Sequence, residues 1–157
     1  MLRKFLFPAL LLASSSALAA PASEFLHGAI QGDNSEMRLG HLVAARGSSA
    51  EVRSFGRTLV RDHSNARAEA ATVARRMGVS VPSSMMPDAR SEYSKLERLR
   101  GRAFDREVRS YMIHDHQSDI AKFEAQARSG ERHTAALARA QLPTLRKHLR
   151  IAKSIRA

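Results

Sequence analysis

The sequence predicts an all-α fold, a four-helix bundle built from two helical hairpins, and three observations predict it. Apolar residues recur at spacings of three, four and seven along four long stretches, as one face of a helix requires. Two of the breaks between those stretches are short and one is long, which gives two hairpins and a crossover. Each stretch also carries one metal-capable polar residue on the stripe that should face the core: Glu36, His63, His116 and His148. Burying such a group unsatisfied costs roughly 2 to 7 kcal/mol, so the four are expected to meet.

Residues 1–19 read as a secretory signal peptide. Arg3 and Lys4 precede an apolar run from Phe5 to Ala13, and Ala17-Leu18-Ala19 offers a small-residue cleavage site. The run falls short of the roughly 20 apolar residues a permanent span needs, and no later stretch qualifies. An exported protein is therefore expected, with residues 20–157 forming one domain.

The first helix is expected over 23–46, with Phe25, Ala29, Gly32, Leu39 and Val43 in line with Glu36. Asp33-Asn34-Ser35 lies in its middle and threatens to interrupt it, because these residues favour caps and turns. Gly47-Ser48-Ser49 is a stop, and Ser49 is the expected N-cap of a second helix over 50–77. Its stripe of Val52, Phe55, Leu59, Ala66, Ala70, Val73 and Met77 includes His63. Gly78 ends that helix, and Val81-Pro82-Ser83-Ser84-Met85-Met86-Pro87 reads as an extended crossover.

A short helix follows over 88–99, broken near Gly101. A third long helix over 102–128 sets Met112, Ile120, Phe123 and Ala127 around His116. The fourth runs from Glu131 with Leu137, Ala138, Leu145, Leu149, Ala152 and Ile155 inward, His148 among them, and Pro143 should kink it. Two short loops flanking one long crossover are the connectivity of ferritin-like bundles.

Counted from the first loop, Glu36 and His63 fall within roughly one turn of the same level; counted from the second, His116 and His148 differ by roughly 7 Å. One carboxylate and three imidazoles suit zinc, iron, copper or manganese, so a transition-metal ion is the cofactor to consider. Asp119, three residues after His116, is a further candidate ligand. Met37 beside Glu36 and Met112 one turn before His116 would favour copper, although core packing explains both more simply.

A di-iron bundle takes Glu-x-x-His from each of two helices, whereas no glutamate stands three residues before His63, His116 or His148. The metal reading is accordingly a mononuclear site. Against it stands a polar layer in which each histidine hydrogen-bonds Glu36 or a carbonyl freed near Pro143. Asp62 and Asp115, each one residue from a histidine, are expected to face elsewhere. Asp105, Asp115 and Asp119 fit solvated helix faces, and His27, His41, His114 and His133 fit surface or rim positions.

The chain has no cysteine, which excludes thiol chemistry and Cys-zinc sites. Neither a Gly-x-Ser-x-Gly elbow nor a Gly-rich phosphate loop occurs, so no catalytic residue is named. The formal charge is +11, of which Arg3 and Lys4 carry two. Such a chain tends toward anionic surfaces, and Arg139, Arg146, Arg150 and Lys153 lie close to one helical face. Export argues against nucleic acid, as do only two Tyr and six Phe for base stacking.

Taken together, Glu36-Met37-Arg38-Leu39-Gly40, Val60-Arg61-Asp62-His63, Phe104-Asp105-Arg106, His116-Gln117 and Leu142-Pro143-x-Leu145-x-x-His148-Leu149 resemble a bacterial family known as domain of unknown function 4142. The resemblance spans essentially the whole mature chain. It implies an exported ferritin-like bundle, sometimes labelled a putative outer membrane protein, and brings no activity, substrate or partner. Barrel strands and a lipidated cysteine are both lacking in the sequence, which favours a periplasmic protein, peripheral to a membrane at most.

Three functions compete on these grounds. The first is a non-enzymatic binding or structural protein of the cell envelope, its polar layer structural or ligand-binding. The second is a metal-binding protein for storage, sequestration or redox chemistry at Glu36, His63, His116 and His148. The third places the function on the basic face of Arg139, Arg146, Arg150 and Lys153, binding anionic envelope lipid or polymer.

Overall fold

The structure, a computed structural model, describes residues 20–156; the signal peptide expected over 1–19 lies outside the described residues. These are all-α, with no strand among them: α1 (Ala22–Arg46), α2 (Ala50–Arg76), α3 (Pro87–Arg98), α4 (Gly101–Ala127) and α5 (Arg132–Ser154). None is long and apolar enough to cross a membrane.

Helices α1 and α2 pack along each other as one hairpin and α4 and α5 as a second, and the hairpins meet chiefly through α2 and α5. Helix α1 touches α4 only sparingly. Ser49 caps α2 as expected, its hydroxyl accepting the Val52 N–H at 3.1 Å. Glu131 caps α5, accepting from the backbone of His133 at 3.0 Å and of Thr134 at 2.5 Å. Helix α5 runs through Pro143 without ending.

Helix α1 is also continuous through Asp33-Asn34-Ser35, contrary to the expected interruption. Tertiary partners occupy the side chains that would otherwise compete with the helix backbone. Asn34 donates to the carbonyls of Pro82 and Ser84, both at 3.1 Å, and Ser35 accepts the Met86 N–H at 2.9 Å. Asn34 and Ser35 thus pin the crossover along α1, while Asp33 bonds His63 of α2.

Two apolar clusters fill the interior. One joins Leu39, Val43, Val52, Phe55, Leu59, Phe104, Val108, Met112 and Ala152; the other joins Leu26, Ile30, Ala70, Ala74, Phe123, Ala138, Leu142 and Leu145. Each of the four long helices passes from one to the other, and at the crossing each places polar residues inward. That polar layer holds the candidate site.

Candidate metal centre

Glu36, His63, His116 and His148 are 3%, 4%, 1% and 0% exposed, and the structure brings them together from four helices. The imidazole centroids of His63 and His148 are 5.0 Å apart, of His116 and His148 5.3 Å, and of His63 and His116 5.9 Å. One donor nitrogen of each lies within 4.8 Å of those of the other two.

Acceptors on the outer side of each ring set the tautomers. His63 donates from Nδ1 to Asp33 Oδ1 at 2.9 Å, His116 from Nδ1 to the Met112 carbonyl at 3.0 Å, and His148 from Nε2 to Asp62 Oδ2 at 2.9 Å. The nitrogens left as lone pairs are Nε2 of His63, Nε2 of His116 and Nδ1 of His148. The last two stand 3.3 Å apart. His63 Nε2 has no hydrogen-bond partner in the protein; Glu36 Oε2, at 3.9 Å, is beyond hydrogen-bond reach.

The expected polar layer, in which histidines bond Glu36 or a carbonyl near Pro143, is therefore not what forms. Neither oxygen of Glu36 has a partner, and the one carbonyl used belongs to Met112, one turn back on the same helix. Asp62 and Asp115 also depart from expectation. Asp62 faces α5, where it binds His148 and the ammonium of Lys147, and Arg61 holds its other oxygen at 2.9 Å. Asp115 Oδ2 lies 3.7 Å from His116 Nδ1.

Burial, then repulsion from His63 and His148, pushes the His116 pKa well below the ordinary imidazole value. Burial and the His63 charge lower His148 to about 4 against the pull of Asp62. Burial alone would raise Asp62, but hydrogen bonds from Lys147, His148 and Arg61 outweigh it and hold the carboxyl well below the usual range. Around neutral pH, then, His116 and His148 are uncharged and Asp62 is an anion, the states in which imidazoles ligate and a carboxylate supports them.

A cavity of about 840 Å³ reaches this layer, with Glu36, His63, Asp115 and Asp119 on its wall. Eight carboxylates line it against two lysines, Lys122 and Lys147, so a basic chain encloses an acidic cavity. The one Glu-x-x-His of the chain, Glu24-Phe25-Leu26-His27, sits at the start of α1. Its His27 bonds Ser80 at 2.8 Å, away from the imidazole set. His41, His114 and His133 are exposed as expected.

Asp105 is not the solvated group expected. It is 2% exposed and accepts from the Ser48 N–H at 2.9 Å, the Ser48 hydroxyl at 2.5 Å and the Ser49 N–H at 3.3 Å. On the basic face, Arg146 pairs with Glu124 at 2.8 Å and Arg139 donates to the Ala127 carbonyl at 2.6 Å.

Residues 8–155 match the family described as Domain of unknown function (DUF4142). No curated protein and no solved structure matches the chain.

Proposed function

The chain belongs to the DUF4142 family, and from that premise we propose that it is an exported metal-binding protein of the cell envelope. It holds one transition-metal ion between His63, His116 and His148 inside a ferritin-like four-helix bundle. The observation that carries this reading is the direction of the three rings. Outer acceptors take all three ring N–H groups, so unprotonated nitrogens point at one another, an arrangement that is repulsive between neutral imidazoles and favourable around a cation.

Metal-ligating histidines commonly donate the other ring N–H to a carboxylate or a backbone carbonyl, which are the partners found here. The spacing fits as well. Two nitrogens bound at about 2.0–2.1 Å to a tetrahedral ion stand about 3.3–3.4 Å apart, and His116 and His148 are at 3.3 Å. Glu36, buried and unpartnered 3.9 Å from His63, is the fourth donor. Such a set suits zinc, copper or iron, and storage or sequestration follows better than turnover, since no nucleophile accompanies it.

Export rests on the basic start, apolar run and Ala-x-Ala site of residues 1–19. The anionic-surface reading has less behind it, because Arg139 and Arg146 are engaged by α4.

The test is elemental analysis of protein purified without a metal-affinity tag, followed by titration with Zn²⁺. About one equivalent per chain is expected, and its loss in His116→Ala and His148→Ala. Less than about a tenth of an equivalent, with no binding on titration, would sink the reading.

A further inference from the structure

Beside the imidazoles lies a second set of donors made of oxygen alone. Asp33 and Glu36 come from α1, Asp115 and Asp119 from α4, and all four line the cavity between helices that barely touch. Donor atoms of Glu36, Asp115 and His116 lie within 4.8 Å of one another. Asp119 Oδ2 reaches across to α1, 3.9 Å from where a Cβ on Gly32 would stand.

Two of these side chains are buried with oxygens that lack a partner. Neither oxygen of Glu36 accepts a hydrogen bond, and Asp33, which binds His63 through Oδ1, leaves Oδ2 unpartnered. Lys122 holds Asp119 Oδ1 at 3.0 Å, and the Arg67 guanidinium stands near enough to Asp33 to favour its anion. Four carboxylates against Lys122 and Arg67 in a largely buried seam are costly unless protons or a further cation balance them.

We propose that Glu36, Asp115, Asp119 and the free oxygen of Asp33 form a second cation site, which takes a hard divalent ion of the manganese or calcium class beside the imidazole-held metal. All-oxygen donor sets select such ions, whereas the three imidazoles select later transition metals, so the two sites sort cations by hardness. The acidic cavity concentrates cations at the entrance. Glu36 belongs to both donor sets, and its two oxygens allow one carboxylate to serve both ions. The inference extends the metal reading without depending on it, since Glu36 alone is shared.

The full mature chain is loaded with one equivalent of Zn²⁺ and titrated with Mn²⁺, uptake being read from the loss of the free Mn²⁺ paramagnetic resonance signal. About one Mn²⁺ per chain is expected beyond the zinc. Asp115→Asn combined with Asp119→Asn should weaken Mn²⁺ by more than the roughly 10–100-fold of an outer-shell change and leave zinc stoichiometry alone. His148→Ala should do the reverse.

The double variant relieves like-charge repulsion while giving up the Asp119–Lys122 pair, and the wild-type titration decides the matter without it. No Mn²⁺ uptake by the zinc-loaded protein overturns the proposal. So does unchanged uptake in the double variant, or Mn²⁺ loss in His148→Ala, which would place that ion among the imidazoles. Failure of zinc to bind, with Mn²⁺ still bound and lost in the double variant, would support this site while defeating the imidazole reading.

Discussion

Asp62 on α2 accepts the Nε2–H of His148 on α5 at 2.9 Å, and this one bond fixes which nitrogen His148 turns toward the centre. Lys147 and Arg61 hold the same carboxylate, so its orientation does not depend on the histidine.

Removing that acceptor should therefore act on metal affinity. Asp62→Ala frees the ring of His148 to change tautomer, and such second partners are typically worth 10–100-fold, so a loss of about that size is expected. Asp62→Asn, which keeps an acceptor without the charge, should fall between. Competition against a chromogenic chelator measures both. Equal affinity in all three proteins would show that Asp62 does not position His148.

The contact between α1 and α2 makes a second prediction through two glycines. A Cβ on Gly56 would stand 2.3 Å from the Ala44 nitrogen and 2.7 Å from the Gly40 carbonyl oxygen, both backbone atoms. Gly56→Ala must push the helices apart and should cost about 1–3 kcal/mol, toward the upper end. Gly28, also in α1, meets nothing within 4 Å, so Gly28→Ala should instead stabilise by about 0.5–1 kcal/mol. Urea unfolding of the two variants should give opposite signs.

The polar layer was legible where it interrupts an apolar stripe, and illegible where it depends on docking. Glu36, His63, His116 and His148 stand among residues that are otherwise apolar, so helical periodicity alone placed them inward. Asp62 neighbours His63 in sequence, and one residue turns a helix by about 100°. That rotation points Asp62 away from the centre on its own helix but straight at α5, which only the packing of α2 against α5 reveals. Asp33 was hidden by the turn propensity of its neighbours, which the crossover overrides.

Asp105 shows the same limit at longer range. Its partners, Ser48 and Ser49, belong to the α1–α2 turn, and no local pattern joins them to the first turn of α4. Truncating it leaves two backbone N–H groups without their charged acceptor. Asp105→Ala should cost about 2–4 kcal/mol, since a hydrogen bond to a charged group is worth about 1.5–3 kcal/mol. The urea midpoint should fall at unchanged slope; an unchanged midpoint would mean that solvent replaces the carboxylate without loss.

The carboxylates of the α1–α4 seam give the metal-free protein a distinctive pH response. Burial, then the charge of Asp119, raises Asp115 to about 7, so between roughly pH 4 and pH 7 the folded chain binds a proton that the unfolded chain does not. Its stability contribution is full below the unfolded value and is lost as pH rises through about 7. His148, lowered to about 4 by burial, works oppositely, because its contribution is present above the unfolded imidazole value and is lost as pH falls through about 4. The wild-type profile therefore sums opposing slopes, and the comparison with Asp115→Asn isolates one of them. Relative to wild type, that variant should gain at least about 1.4 kcal/mol between pH 5 and pH 8, the free energy of one tenfold change in proton binding. Chelator-treated proteins unfolded in urea at the two values provide the measurement. A stability difference independent of pH would show that Asp115 stays ionised in the fold.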